Sequence, residues 1–250
     1  MADDQYGKSM NIDNPNDFKI FENWKMATDF SLGYENLETI GDYKQQIASS
    51  KPWERKKSIE VTEREFQLIG LFSIIIKDKK LINVIDLGGG NGYMCHLLRL
   101  WFPLLEINYT VWESPSMANA YREYEKLSGI RWTSEMPKNR FDIAISSCTL
   151  QYLEFPEKYL KEISSIASEL IILRFPELNG PKSKYAVQVT RKINTSLSDN
   201  TWPIRFFGKG ELDSMLPADT KKNLEFFHHD EIYLFDGEKV ILKGFHYSIM

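Results

Sequence analysis

The segment Val84-Ile85-Asp86-Leu87-Gly88-Gly89-Gly90-Asn91-Gly92-Tyr93 is where residues able to do chemistry concentrate in this chain. An apolar run ends in an acid and a leucine, a glycine cluster follows, and a helix-forming stretch begins at once. Glycine suits such a turn because the chain must bend sharply and a ligand must reach the backbone with no Cβ in its path. At the carboxyl end of a first parallel strand, that turn is where an α/β sheet holds a nucleotide-like ligand. A loop that cradles pyrophosphate reads G-x-G-x-x-G. Here the spacing is Gly88-x-Gly90-x-Gly92 with Asp86 upstream, which suits a ligand without phosphate whose amino acid end carries an ammonium group. Asp86 can accept from that ammonium, directly or through water, and loop N–H groups can meet the carboxylate. Three glycines plus Asn91 exceed what a bare strand-to-helix turn requires.

Glu113 closes the run Tyr109-Thr110-Val111-Trp112, about twenty residues past the turn, where a doubly wound fold places the acid that holds ribose hydroxyls. Arg174 ends another apolar run and either pairs with a core acid or grips an anionic ligand, a carboxylate or phosphate; the second is the preferred reading. His228 and His229 occupy adjacent positions of an extended run, so they face opposite ways and do not share a metal. His228 is kept as a candidate general base, beside the plainer reading of a hydrogen-bonded surface pair. Cys148, with no basic partner nearby in sequence, reads as a buried thiol. No metal site is expected.

These residues need a scaffold, and the hydrophobic pattern supplies one. Short apolar runs at 81–87, 107–113, 130–133, 141–146 and 170–174 alternate with helical stretches at 93–101, 116–127 and 156–168. Runs apolar throughout, alternating with helices, indicate a parallel sheet covered on both faces. Upstream, Phe21, Trp24, Ala27, Phe30 and Tyr34 recur at helical spacing between residues 18 and 47, and a second helix is expected from about 59 to 77. Thr62 and Glu65 read as a capping box near its start. A looser segment covers 176–210, a short helix 211–216, and two strand-like runs at 225–235 and 239–249 meet at Asp236-Gly237, a hairpin signal. Residues 1–17 lack periodicity and read as a flexible tail, 18–78 as an N-terminal helical lid, and 79–250 as the ligand-binding domain.

Composition narrows the class. The chain has 250 residues, 42% of them hydrophobic, and a net charge of −4 with both signs interspersed, so a sizeable core is expected and a nucleic-acid footprint is not. The basic run Arg55-Lys56-Lys57 is too short to change that. Two distant cysteines, Cys95 and Cys148, make neither a disulfide framework nor a zinc site. The longest apolar stretch, from Leu68 to Ile76, is broken by Gly70 and Ser73 and is too short to span a bilayer. With no apolar segment behind Met1-Ala2-Asp3-Asp4-Gln5, no signal peptide is read and a cytoplasmic protein is expected.

Asp86–Gly92 and Glu113 resemble the glycine-rich motif and the ribose-binding acid of class I S-adenosylmethionine (SAM)-dependent methyltransferases, and the resemblance runs from about Leu68 to the C-terminus. Phe141-Asp142-Ile143-Ala144-Ile145-Ser146 resembles the family's fourth strand, and Ser147-Cys148-Thr149-Leu150-Gln151-Tyr152-Leu153 the loop beside the methyl donor. The resemblance implies a Rossmann-like, doubly wound, mostly parallel seven-stranded α/β sheet in the order 3-2-1-4-5-7-6, with SAM as cofactor. It places adenine between the third and fourth strands, near Trp132, Thr133, Ser134, Ser114 and Met117, with Trp132 and Met117 equally suited to plain core packing. On the acceptor side it implies Ser147, Cys148, Gln151 and Tyr152, and Tyr34 either as a ring able to close over the sulfonium or as a helix residue packed on the sheet. A narrower resemblance covers nearly the whole chain. Trp24-Lys25-Met26-Ala27, Ser31-Leu32-Gly33-Tyr34, Arg174-Phe175-Pro176 and Gln188-Val189 are similar to a bacterial methyltransferase group linked with surface-polysaccharide and secondary biosynthesis clusters. Gly90-Asn91 stands where that group has a serine-rich loop, and Leu173 precedes Arg174 where an acid is common.

Methyl transfer from a sulfonium asks the protein mainly for alignment and a dry cavity. A hydroxyl acceptor would also want a base, and no residue stands out as one, which favours an amine or carboxylate acceptor. The expected partner is therefore a small molecule, anionic if Arg174 grips it, with neither nucleic acid nor membrane; a homodimer is left open. An aminopropyltransferase would carry acids after the fourth strand, where Ser146-Ser147-Cys148-Thr149 has none. A non-catalytic methyltransferase-like subunit is the remaining alternative.

Overall fold

The computed structural model describes residues 18–35, 37–51, 54, 62–190 and 200–250. The expected tail at 1–17 and the basic run Arg55-Lys56-Lys57 lie outside them. In chain order the strands are β1 (Phe18–Phe21), β2 (Leu81–Leu87), β3 (Glu106–Trp112), β4 (Ile130–Thr133), β5 (Phe141–Ser147), β6 (Ala167–Phe175), β7 (Lys184–Thr190), β8 (Asn200–Phe206), β9 (Thr220–Phe235) and β10 (Glu238–Ile249). The helices are α1 (Trp24–Phe30), α2 (Leu37–Ser50), α3 (Glu63–Ile76), α4 (Tyr93–Trp101), α5 (Pro115–Tyr121), α6 (Glu125–Ser128), α7 (Pro156–Ser164) and α8 (Glu211–Met215), with single 3-10 turns at Arg122–Tyr124 and Leu150–Tyr152.

Seven strands form one sheet in the order β4-β3-β2-β5-β6-β10-β9. Counted from β2, that order reads 3-2-1-4-5-7-6. Strands β4, β3, β2, β5 and β6 run parallel, and β10 and β9 close the edge antiparallel. Both faces of the parallel part are covered, which is why β2 reads as an almost unbroken apolar run. One face packs Ile47 of α2, Leu68 and Phe72 of α3, Leu97 and Leu98 of α4, and Met117 of α5 against Val84, Val111, Ile145 and Leu173. The other packs Leu160 and Ile163 of α7 and Leu212 of α8 against Ile85, Ala144, Leu170 and Ile172. Asp236 and Gly237 both take left-handed backbone (φ 51° and 76°), the geometry that a two-residue hairpin of matching twist requires.

A second sheet, β1-β7-β8, is antiparallel and three-stranded. It corrects two readings of the sequence: residues 18–21 are a strand rather than the start of a helix, and the looser segment at 176–210 holds a hairpin arm pair. Pro203 of β8 sits opposite Val187 and is tolerated because β8 is an edge strand, where a missing donor breaks no second ladder. The helix expected over 116–127 is broken at Arg122–Tyr124, and α7 stops at Ser164, so β6 starts at Ala167. Glu65 accepts the Thr62 backbone N–H at 2.8 Å, the return half of the expected capping box. Among the described residues no helix is long and apolar enough to cross a membrane, and no cluster of histidine, cysteine and carboxylates is placed to hold a metal.

Candidate active site

The turn after β2 is built around a buried carboxylate. Asp86 is 1% exposed; its Oδ2 accepts the Tyr109 hydroxyl at 2.7 Å, while its Oδ1 has no hydrogen-bond partner among the described residues. Burial pushes the Asp86 carboxyl up to about 7, against the pull of the Tyr109 hydrogen bond, and the nearby Glu113 adds to the rise. Gly88, Gly90 and Gly92 all take left-handed backbone (φ 68°, 54° and 74°). Gly89 is required for a different reason: a Cβ there would lie 2.3 Å from Asp86 Oδ2. A Cβ on Gly90 would meet nothing within 4 Å, so the turn presents open space on that side. Helix α4 starts directly from Gly92, whose backbone oxygen accepts the Cys95 N–H at 3.0 Å.

Glu113 stands one residue past β3 and is held against the turn. Its Oε1 accepts the Gly90 N–H at 3.0 Å and its Oε2 the Ser114 N–H at 3.1 Å. Burial raises its pKa, opposed by these two hydrogen bonds. Each carboxylate oxygen keeps acceptor capacity, since an ionised carboxylate has about four lone-pair directions. Ser114 caps α5, Met117 is buried in the core below it, and Trp132 donates its indole N–H to Gly90 O at 2.8 Å. Trp132 is therefore core and also a strut for the turn. Thr133 and Ser134 sit at the open end of β4, where the Thr133 hydroxyl donates to Glu135 O at 2.9 Å and Ser134 O accepts from Trp112 at 3.3 Å.

Across the ends of β5 and β6 lies a group of aromatic and polar side chains centred on Cys148. Cys148 (φ 56°) and Arg174 (φ 59°) both take left-handed backbone, rare for residues with side chains and concentrated at functional sites. Gln151 donates to Cys148 Sγ at 3.0 Å and to Arg174 O at 3.4 Å. The Arg174 Nε is bound by Glu231. Tyr34, carried on the turn after α1, stacks on Trp202 (5.0 Å between rings) and stands edge-on to Tyr152 (5.1 Å). The Tyr152 hydroxyl donates to Gln188 at 2.6 Å. Burial raises Tyr34, Tyr152 and Tyr233 well above the ordinary phenol range, and the neighbouring Cys148 adds to each. From α2, Tyr43 is pushed up to about 12, first by burial and then by Glu113 and Cys148.

No protein-family model matches the chain, and no curated protein matches it in sequence. Solved structures do match. Streptomyces venezuelae DesVI is similar with a TM-score of 0.51 at 10% identity, over 86% of this chain and 99% of its own. TnmH is similar with a TM-score of 0.51 at 12% identity, over 85% of this chain and 59% of its own. The N-terminal domain of EvdMO1, solved in the presence of SAH and D-fucose, aligns at 13% identity over 87% of this chain and 100% of its own, with a TM-score of 0.48. The chain has the Rossmann-like methyltransferase fold.

Within that fold the residues singled out by sequence fall into two groups. Asp86, Gly88, Gly90, Gly92, Glu113 and Ser114 meet at the glycine turn; Tyr34, Gln151 and Arg174 meet at Cys148, with Ser147 ending β5 just before it. Of the two readings of Arg174, the structure shows the pairing with an acid, and that acid comes from β9. A register shift in β9 between the rows at Ile232 and His228 bulges residues 229–231 out of the ladder, which re-aims Glu231. The surface pair expected of the histidines is overturned: His228 is fully buried opposite Leu242 and edge-on to Phe226, 5.4 Å between rings, while His229 is exposed.

Five participants escaped the sequence reading: Tyr43, Tyr109, Trp202, Glu231 and Tyr233. Tyr109 was findable once register was fixed, since it pairs with Val84 and Asp86 with Val111, which puts both polar groups on one sheet face a pleat apart. Trp202, Glu231 and Tyr233 belong to strands brought in from remote parts of the chain, and local spacing carries no signal for them.

Proposed function

We propose that this chain is a SAM-dependent methyltransferase acting on a small-molecule acceptor in a biosynthetic pathway. The observation that carries this reading is the Asp86 carboxylate, buried at the glycine turn with Oδ1 unmatched among the described residues and open space over Gly90. A buried acceptor without a donor is costly, by about 1–3 kcal/mol, and an ammonium group entering beside Gly90 supplies the donor. Glu113 next to it has acceptor capacity for a diol, and the turn is lined by backbone rather than side chains. These are the groups that an aminoacyl nucleoside needs and a pyrophosphate does not.

When bound, SAM supplies a methyl group already activated by the sulfonium charge. The chain's own task is then placement. Asp86 and Gly88–Gly92 fix the amino acid end, Glu113 and Ser114 the ribose side, and Met117, Thr133 and Ser134 border the adenine side. Ser147, Gln151, Tyr34 and Arg174 face the acceptor. Tyr34, Trp202 and Tyr152 wall that side with rings, which excludes water and strengthens every polar contact inside.

Titration calorimetry with SAM and with its demethylated product tests the reading. Micromolar binding of both is expected, abolished in Asp86→Ala. Absence of heat and of any thermal shift from either compound would refute it, as would retained affinity in the variant.

A further inference from the structure

Near Cys148 several hydrogen-bond donors lack a nitrogen or oxygen acceptor among the described residues. Arg174 uses Nε on Glu231, and its two terminal nitrogens make no hydrogen bond to the described residues. Its side chain keeps 22% of its surface accessible, so those nitrogens are not sealed away. Tyr233 is 5% exposed, and its hydroxyl has the soft Cys148 thiol within hydrogen-bonding reach but no nitrogen or oxygen partner among the described residues; Arg174 is close enough to act on it electrostatically. Trp202, 8% exposed and stacked on Tyr34, likewise leaves its indole N–H unmatched. Buried donors without acceptors are costly, so the arrangement is complete only when an acceptor-rich group enters.

The charge inventory says which group. Arg174 is the cation at this place and Glu231 already offsets part of it. The titratable groups facing Arg174 are Glu231 and Tyr233 from β9, Cys148 from the loop after β5, and Tyr152 from the turn beyond it. A dianionic phosphate would meet one half-neutralised guanidinium, whereas phosphate sites gather several positive groups or a helix N-terminus. A monoanionic carboxylate matches one free guanidinium edge plus one phenol, with ring walls beside it for an apolar body.

We infer that the acceptor of this site carries a carboxylate, bound between the terminal nitrogens of Arg174 and the hydroxyl of Tyr233. Glu231 is a positioning residue in this arrangement: by holding Nε it turns the other edge of the guanidinium outward. The inference rests on the methyltransferase reading for what happens to the bound acid, but the binding site itself is testable alone.

Benzoate and benzamide share one planar shape with charges of −1 and 0, and benzylamine puts a charge of +1 on the same ring, so the set separates charge from shape. Binding to the full chain with SAH present is read by tryptophan fluorescence, to which Trp202 reports, and by thermal shift. Benzoate is expected to bind with a dissociation constant of about 1 mM, reasonable for so small a fragment, at least tenfold tighter than the other two. Tyr233→Phe should weaken benzoate several-fold and leave SAH binding unchanged. Because Arg174→Met removes the guanidinium from beside Glu231, the double change Arg174→Met with Glu231→Gln is made beside it, and it should lose benzoate at least tenfold while still folding and binding SAH. Equal binding of benzamide or benzylamine would overturn the inference. So would tighter binding of inorganic phosphate, benzoate affinity surviving in the double variant, or no benzoate binding at about 50 mM. Failure of SAH to bind while benzoate still does would instead sink the methyltransferase reading and leave the carboxylate site standing.

Discussion

Asp86 shows how a single residue can be both a binding group and a liability. In an unfolded chain its carboxyl titrates near the ordinary 3.8, and in the folded protein it is pushed up to about 7 by burial. The folded state therefore holds a proton that the unfolded state has released between these values. For this group the contribution to stability is full below about pH 4 and is lost as pH rises through about 7. Asp86→Asn, which keeps an acceptor for the Tyr109 hydroxyl, is expected to match the wild type near pH 4 and to exceed it by a few kcal/mol above pH 7, since each tenfold change in proton affinity is worth about 1.4 kcal/mol. Urea unfolding at pH 4.5, 6 and 8 without ligand measures this, and a difference constant with pH would show that Asp86 is ionised in the folded chain throughout. The same variant should not bind SAM. Asp86 was legible in the sequence because an acid just ahead of a glycine cluster is rare by chance, and Glu113 because it ends the next strand about twenty residues on; Tyr109 was not, since a tyrosine in an apolar strand is ordinary until its partner is known.

At the scale of elements, the turn is fixed from several sides at once. Trp132 of β4 ties Gly90, and Gly88 N–H bonds Trp112 O of β3 at 2.9 Å. Tyr93, the first residue of α4, donates its hydroxyl to Glu65 of α3. Glu65 is 3% exposed and also takes the Thr62 backbone N–H, so one carboxylate joins the start of α3 to the start of the helix that carries the glycine turn. Tyr93→Phe is expected to cost about 1–2 kcal/mol, because a buried acceptor loses a charged-group hydrogen bond. SAH affinity should fall several-fold with it, since the start of α4 is released. A variant with the wild-type unfolding midpoint and wild-type SAH affinity would show that α3 does not brace the turn. Helices and parallel strands of this part were readable from period and apolar runs alone. The short strands were not: β1 is four residues long, below the length at which alternation can be told from a helical face, and β8 contains a proline that argues against a strand until its edge position is known.

The two sheets are joined by an aromatic cluster, in which Phe206 of β8 stacks on Phe235 of β9 at 3.7 Å between rings and Phe18 covers the pair. Phe18 of β1 packs edge-on against Phe206 of β8 and against Tyr233 and Phe235 of β9, at 5.2, 5.3 and 5.9 Å between rings. The small sheet thus rests on the antiparallel edge of the large one, and Tyr233 lies in the joint. Tyr34 is anchored to the same small sheet, because Gly33 N–H bonds Thr201 O at 3.1 Å and Leu32 N–H bonds the Thr201 hydroxyl at 2.9 Å. The acceptor side of the site therefore depends on the joint, while the glycine turn, set among β2, β3 and β4, does not. Phe18→Ala separates the two. Phe18 is half-buried, so the loss should be roughly 2 kcal/mol, below the roughly 3–5 of a fully buried phenylalanine. SAH affinity should stay within about twofold, whereas binding of an acceptor-side ligand should weaken at least tenfold as Tyr233 and Tyr34 lose their fixed places. Calorimetry with SAH and with benzoate on the same preparation reads both. Parallel loss of the two affinities would mean that the sheets form one cooperative unit around a single site, and that the acceptor wall is not a separately supported part of the fold.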